Sequence, residues 1–443
     1  MNPPSDAQTI SVSLDALVAA KPPSLHHFRL ENGLSVYLCE NHTAPLVAVQ
    51  LWYHVGTSDE PPGHSNLSHL LEHLIFQGSS KLPNGQYSRL IAQLGGIANA
   101  TTYDDSTAFE MTLPAARLPV GLELMADAMT GASFGQSEFE LEVLTVDAER
   151  RFNVDHSALE WAEERHRKLA YDGTPYAASI FGHAIDLAQT DLETVRTWYR
   201  TWYHPNNATL VVVGAASLQD LRRHVDTYFA PIPPAPLWDR PLIRYSATLQ
   251  ARSQQLVDPR LEDGLLMSFN VPSLASAPSQ EVALALLVLE SILGTESNAL
   301  LYRRLTRDRP VLTSSKVTYD YQMRGDTLLG IEATLAANTL TAQEAALEIW
   351  NLIDELRTTA LPDEVLEREK LRLLARELYA QADIDKQATR IGHAAAAGLD
   401  PASLAEAPRI IRNLSSSTLQ QVAARYLHRD RLTTTYLQRG EPV

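Results

Sequence analysis

Cysteine is almost absent from this 443-residue chain: Cys39 stands alone, which excludes an internal disulfide framework and any zinc site built from thiolates. Long hydrophobic runs are missing too. No stretch approaches the roughly 18 apolar residues of a membrane span, and the opening, Met1 to Ile10, lacks a basic segment followed by an apolar one. The expectation is a soluble chain with no membrane partner, cytoplasmic as written and periplasmic if a leader has been removed. Positive charge is scarce: 37 Lys and Arg face 53 Asp and Glu, a formal net charge of −16. Phosphate binding needs clustered cations, so nucleic acid is not an expected partner. The acidic balance reads first as a solubility device. What the chain does have is ordinary for a globular protein, 45% hydrophobic and 20% charged residues, over a length that accommodates two or three domains with their own cores.

Three landmarks recur at nearly one offset. Tyr87-Ser88-Arg89-Leu90 is matched by Tyr302-Arg303-Arg304-Leu305, 215 residues on; Thr102-Tyr103-Asp104 by Thr318-Tyr319-Asp320, 216 on; and the helix-ending Gly78 by Gly294, 216 on. Each match alone is cheap, but three in order at one spacing indicate two copies of a domain of roughly 220 residues. Pro231, Pro233, Pro234, Pro236 and Pro241 fall between the copies, where neither a helix nor a central strand could run. The expected organisation is a first domain over 1–230, a Pro-rich linker over 231–245 and a homologous second domain over 246–443. Within the first copy, Asn32-Gly33 between apolar runs predicts a type I′ hairpin. Leu46 to Val55 alternates as a strand, and 64–77 reads as a helix. Ala108 to Leu113 and Thr209 to Val213 read as further strands, with long helical stretches over about 116–130 and 137–170. Separated groups of strands and helices make the fold class α+β, each domain an antiparallel-rich sheet covered by helices on one face.

From His64 to Phe76, apolar residues at 67, 70, 71, 74 and 75 form the stripe of an amphipathic helix. His69 and His73 are four apart on it, so their imidazoles stack on one side and can share an ion. Glu72 lies beside such a metal rather than on it, placed to take a proton from a bound water. Two histidines are half a site, since a catalytic zinc usually has three protein ligands and one open position. The helix after Ser137 supplies Glu142 and Glu149, seven apart and therefore on one face. Spacing does not choose between them, nor exclude Asp147 or another of the 14 histidines. The plainer readings are a solvated polar face for the histidines and surface carboxylates for the glutamates.

His69-Leu70-Leu71-Glu72-His73 resembles the H-x-x-E-H signature of the inverzincins, the pitrilysin and mitochondrial processing peptidase family. Glu149, within Asp147-Ala148-Glu149-Arg150-Arg151, stands 76 residues after His73, at the family's spacing for its third ligand. Glu142 matches an accessory glutamate seven residues earlier. Gly95-Gly96-Ile97-Ala98-Asn99-Ala100-Thr101-Thr102 is similar to the family segment that leads into the sheet edge where substrate peptides add as a strand. The resemblance covers almost the whole chain. It implies one zinc ion held by His69, His73 and Glu149, with Glu72 as general base, Glu142 as accessory group, and Asn99 and Ala100 at the substrate edge. It also implies hydrolysis of peptide bonds in unfolded peptides, inside a closed chamber of which this two-domain chain is one half of a clamshell. Main-chain pairing of substrate to an edge strand would explain broad sequence tolerance. Two imidazoles and a carboxylate suit zinc, manganese and cobalt alike, and availability decides for zinc.

The second copy departs from the first. Laying Gly294 on Gly78 puts Ala285, Val288 and Leu289 where His69, Glu72 and His73 stand, so that half cannot hold zinc there. In the family such a half supplies an arginine and, seven residues later, a tyrosine that steady the substrate carbonyl. Here Thr306 and Thr313 occupy those places, and none of Arg303, Arg304, Arg307 or Arg309 has a tyrosine seven residues on. Donors of this kind are worth on the order of 100-fold to 1,000-fold in rate. The resemblance therefore implies a heterodimer with a homologous companion subunit that carries the Arg/Tyr pair. The alternatives are a non-catalytic scaffold subunit of the same fold and a self-sufficient homodimeric peptidase.

Overall fold

The structure is a computed structural model that describes residues 14–18, 24–83, 85–245, 249–294 and 298–441. Met1 to Ile10, read above for a leader, lie outside the described residues. The strands form two sheets. The first contains β1 (Leu25–Arg29), β2 (Ser35–Glu40), β3 (Leu46–Tyr53), β4 (Ile97–Thr102), β5 (Thr107–Pro114) and β6 (Ala208–Gly214), in the order β1-β2-β6-β3-β5-β4. The second contains β7 (Arg252–Asp258), β8 (Gly264–Val271), β9 (Leu312–Tyr319), β10 (Thr327–Leu335) and β11 (Leu432–Arg439), in the order β7-β11-β8-β10-β9.

With β1 set aside, the two orders agree position for position. Each sheet has one parallel pair, at equivalent places, β2 with β6 and β7 with β11. The remaining pairs are antiparallel. The repeat first seen as three short landmarks is thus a repeat of topology: Thr102 closes β4 and Tyr319 closes β9, the corresponding edge strands. This is the α+β class, with an antiparallel-rich sheet in each half.

The covering of the sheets differs from expectation. β3 and β6 are buried on both faces, which is why their sequences, LVAVQLWY and ATLVVVG, run almost continuously apolar. Val47, Val49, Leu51 and Tyr53 face the helices of their own half. The alternate residues Ala48 and Trp52, with Tyr37, Cys39, Val211 and Val213, meet Ala388, Ile391 and Ala396 of the helix Ile384–Ala396 from the second half. The exchange is mutual. Ala162 of the helix Ala158–Ala170 packs on Leu266 and Leu437 of the second sheet, and His166 is held there by Thr435 Oγ1 and Ser268 Oγ, each at 2.8 Å. Each sheet is covered on both faces, one of them by a helix of the other half; periodicity in one segment carries no trace of a partner more than 100 residues away.

Three local readings also shift. A hairpin joins β1 to β2, but only Gly33 is left-handed, with φ +91°, whereas a type I′ turn needs Asn32 there as well. The Asn32 side chain instead donates to the carbonyls of Phe229 and Ile232, at 2.7 and 2.9 Å. The helix expected over 64–77 occupies Leu67–Ile75, because Asn66 takes a left-handed conformation, φ 78°. The stretch 137–170 is two helices, Gln136–Arg150 and Ala158–Ala170, separated by a wider turn at Arg151–Asp155. Among the described residues no helix is long and apolar enough to cross a membrane.

Candidate metal centre

The helix Leu67–Ile75 buries Leu67, Leu70, Leu71, Leu74 and Ile75 in the core and turns His69, Glu72 and His73 to the other side. Its N-terminus has no capping side chain of its own. The Glu60 carboxyl group does that work, accepting the N–H of Asn66 at 3.0 Å and of Ser68 at 2.7 Å, two amides a helix start leaves without partners. Facing it, the helix Gln136–Arg150 buries Phe139 and Val146 and presents Glu142 and Glu149 on the intervening face.

His69 Nε2 lies 3.6 Å and His73 Nε2 3.5 Å from the same Glu149 oxygen, Oε2. One donor atom from each residue fits within a 4.8 Å cluster, the two rings standing nearly perpendicular at 88°. A tetrahedral zinc with bonds of about 2.1 Å separates its ligand atoms by about 3.4 Å, so these residues fit such an ion. The ring orientations fit too. His73 Nδ1 donates to Glu142 Oε2 at 2.9 Å, which leaves the Nε2 lone pair pointing into the cluster. Gln77 Nε2 donates to the other Glu142 oxygen at 2.6 Å, fixing the carboxylate that fixes the ring.

Burial, with the nearby His73, pulls the His69 imidazole down to about 4, so it stays neutral and able to donate a lone pair. His73 goes the other way: burial opposes its charged form, but the hydrogen bond it donates to Glu142 and the charges of Glu72, Glu142 and Glu149 outweigh it. Glu72 is buried, which raises its carboxyl above the usual range, and the Thr102 hydroxyl, donating to Oε2 at 2.6 Å, offsets part of that rise. A raised carboxyl beside a metal cluster is suited to accept a proton and later return it.

The structure therefore brings His69, His73, Glu149, Glu142 and Glu72 together. Asp147, left open by spacing, turns away to Arg150 and Arg151. Asn99 and Ala100 lie on β4, the outer strand of the first sheet, whose end carries Thr102 into contact with Glu72. Thr306 sits in the helical turn Tyr302–Arg307 and Thr313 on β9, the outer strand of the second sheet. Ala285, Val288 and Leu289 are core residues. Sequence reasoning missed Thr102, Gln77, Glu60 and Phe181, whose ring stands edge-on to His69 at 6.2 Å. Gln77 carried a signal, being one helical turn beyond His73; Glu60 and Phe181 carried none.

Comparison with known proteins matches residues 35–184 to the sequence profile described as insulinase (peptidase family M16) and residues 190–373 to the peptidase M16 inactive domain. The zinc protease PqqE of Helicobacter pylori is 25% identical over 443 aligned positions, covering 98% of this chain and 97% of that one. A solved protease from Helicobacter pylori superposes with a TM-score of 0.88 at 23% identity, over 94% of this chain and 100% of that chain. The periplasmic protease PqqL from Escherichia coli superposes at 0.78 and 16% identity, over 95% of this chain but 48% of its own length. With both halves matched in order by domains of one family, and with its two-domain fold shared by solved members, the chain belongs to peptidase family M16, the insulinase and pitrilysin-like zinc proteases.

Proposed function

We propose that this chain is a zinc-dependent endopeptidase acting on unfolded peptides, with the metal held by His69, His73 and Glu149 in the domain spanning 1–230. One observation carries the reading: two imidazole nitrogens and one carboxylate oxygen converge at tetrahedral spacing with a buried, hydroxyl-oriented carboxylate, Glu72, beside them. Zinc bound there would supply a Lewis acid for the scissile carbonyl and a water ionisable near neutral pH. Glu72 takes the proton from the attacking water and hands it to the leaving amide nitrogen. Thr102 holds one Glu72 oxygen, leaving the other free for that exchange. Glu142, with Gln77, keeps His73 in its metal-donating tautomer. The unpaired outer side of β4, at Asn99 and Ala100, offers main-chain groups to an extended peptide, which would then be read by shape more than by sequence.

In the second half Thr306 and Thr313 stand where the arginine–tyrosine pair would be, so the working enzyme is proposed as a heterodimer with a homologous companion, the two closing as a clamshell. PqqL, which matches this fold over only about half its length, supports an assembly of two such units. The test is turnover of a quenched fluorescent peptide library by the purified chain, alone and with the companion, beside Glu72→Gln and a zinc count. Activity with the companion only, lost in the variant at about one zinc per chain, is expected. Zinc-free protein with no turnover in either mixture would mean a scaffold subunit, and full turnover by the chain alone would remove the companion.

A further inference from the structure

The half without metal residues reaches into the metal half at a buried polar junction between two turns. The β4–β5 turn, residues 103–106, and the β9–β10 turn, residues 320–326, are equivalent in the two copies, and they meet. Arg324 Nε donates to Asp105 Oδ1 at 3.2 Å, and its backbone N–H to Oδ2 at 3.2 Å. Its guanidinium also donates to the carbonyls of Arg240 and Pro241, at 3.1 and 2.7 Å. Tyr176 and Ser58 donate to the same Asp105 carboxylate at 2.6 and 3.0 Å. Arg240, following the proline cluster, grips Asp59 through two bonds of 2.8 and 2.5 Å and donates to the Asp105 carbonyl at 3.0 Å. Asp59 and Asp105 are thus enclosed carboxylates whose countercharges both come from beyond residue 230.

Both carboxylates lead to the metal centre. Asp105 stands three residues past Thr102, whose hydroxyl orients Glu72. Asp59 precedes Glu60, which accepts the first amides of the His69 helix. The segment 56–60 and the turn are locked together: Thr57 N–H donates to Tyr103 O at 3.2 Å and Ser58 N–H to Asp104 O at 2.8 Å. Contact is so close that a Cβ at Gly56 would lie 2.3 Å from Tyr103 O. A shift of this turn has no slack to absorb it before Thr102.

Resting on the hydrolytic reading above, we propose that Arg324 is a positioning residue for the reaction: through Asp105 it fixes the turn that aims Thr102 at Glu72. The metal-free half then helps to build the active site as well as enclosing it. Because none of the bonds described for Arg324 and Asp105 is to His69, His73 or Glu149, the proposal separates aim of the base from retention of zinc.

The test uses the full chain, in whichever assembly the wild type turns over. Arg324→Gln is paired with a double variant, Asp105→Asn with Arg324→Gln, which removes both buried charges while keeping hydrogen-bonding groups. Both are expected to retain about one zinc per chain and to lose roughly 10-fold to 100-fold in kcat with KM within about threefold, as for a misplaced catalytic group. Thr102→Val is expected to lose a similar factor, the loss not adding to that of Arg324→Gln, while Thr102→Ser restores most of it. Hydrogen exchange of segments 56–70 and 97–110 should quicken by about tenfold or more in both Arg324 variants, with the central strands of the second sheet unchanged. A merely structural pair would lower the melting temperature and leave kcat per zinc-loaded chain intact. That result, or additive losses, or unchanged exchange in the two segments, overturns the proposal. If zinc-loaded wild type turns over nothing in any assembly, the hydrolytic reading falls and takes the catalytic role with it. Exchange then still decides whether Arg324 orders the turn.

Discussion

At the scale of single residues, the site depends on side chains that hold other side chains. Glu142 is the plainest case: buried, aligned by Gln77, and bonded to His73 Nδ1, it sets which ring nitrogen faces the cluster. Partners of this kind are typically worth about 10-fold to 100-fold in metal affinity. Glu142→Ala is therefore expected to weaken zinc binding by about that factor, measured by chelator competition, while Glu149→Ala, which removes a proposed ligand, weakens it further. Equal affinities for Glu142→Ala and wild type would mean that His73 keeps its orientation without the carboxylate. Glu142 and Glu149 were equivalent in spacing; in space the buried Glu142 meets His73 Nδ1, while the more exposed Glu149 meets Nε2 of both rings.

At the scale of elements, the His69 helix is started by a residue outside it. Burial pushes the Glu60 carboxyl up to about 8, and the N–H groups of Ser68 and Asn66 pull it back only in part. The folded chain then binds a proton that the unfolded chain, with an ordinary value of 4.5, releases. That stabilisation is complete below about pH 4.5 and is lost as pH rises through about 8. The melting temperature of the metal-free protein is expected to fall between pH 6 and 9 by an amount that Glu60→Gln largely abolishes. Equal slopes in both proteins would assign the loss to another group. The same element shows why its boundary was misread: the apolar stripe gives the period of the helix, but the left-handed Asn66 and the distant Glu60 decide where it begins.

At the scale of the whole molecule, the halves are joined by exchanged helices, and one close approach is at Gly392. Its Cα faces the indole of the buried Trp52, and an added Cβ would lie 2.0 Å from Nε1. The ring has nowhere to go, since its N–H is donated to Gln50 Oε1 at 2.9 Å and its face stacks on Tyr103, 5.5 Å between centroids. Gly392→Ala is expected to cost about 1–3 kcal/mol, the usual range for an overpacked core, read as a lower urea midpoint. An unchanged midpoint would show that the helix Ile384–Ala396 can slide on the first sheet. Tyr103 opens the turn that ends at Asp105, so this contact and the Arg324 pair brace the same turn from two sides.

The sequence by itself determined what is local or repeated. Helical spacing put His69, Glu72 and His73 on one face, and equal offsets between copies revealed a duplicated topology, because both are properties of the chain's own period. It also determined that the second copy has no metal residues. Only the tertiary structure decided what lies across space: that Glu149 shares the cluster while Glu142 braces His73, that each sheet borrows a helix from the other half, and that Arg324 reaches Asp105. Those pairings join residues as much as 339 and 348 positions apart, as in Gln50 with Thr389 and Cys39 with Gln387. Nothing in the composition or period of either segment records them, since burial and hydrogen bonding are satisfied by whatever the fold brings near.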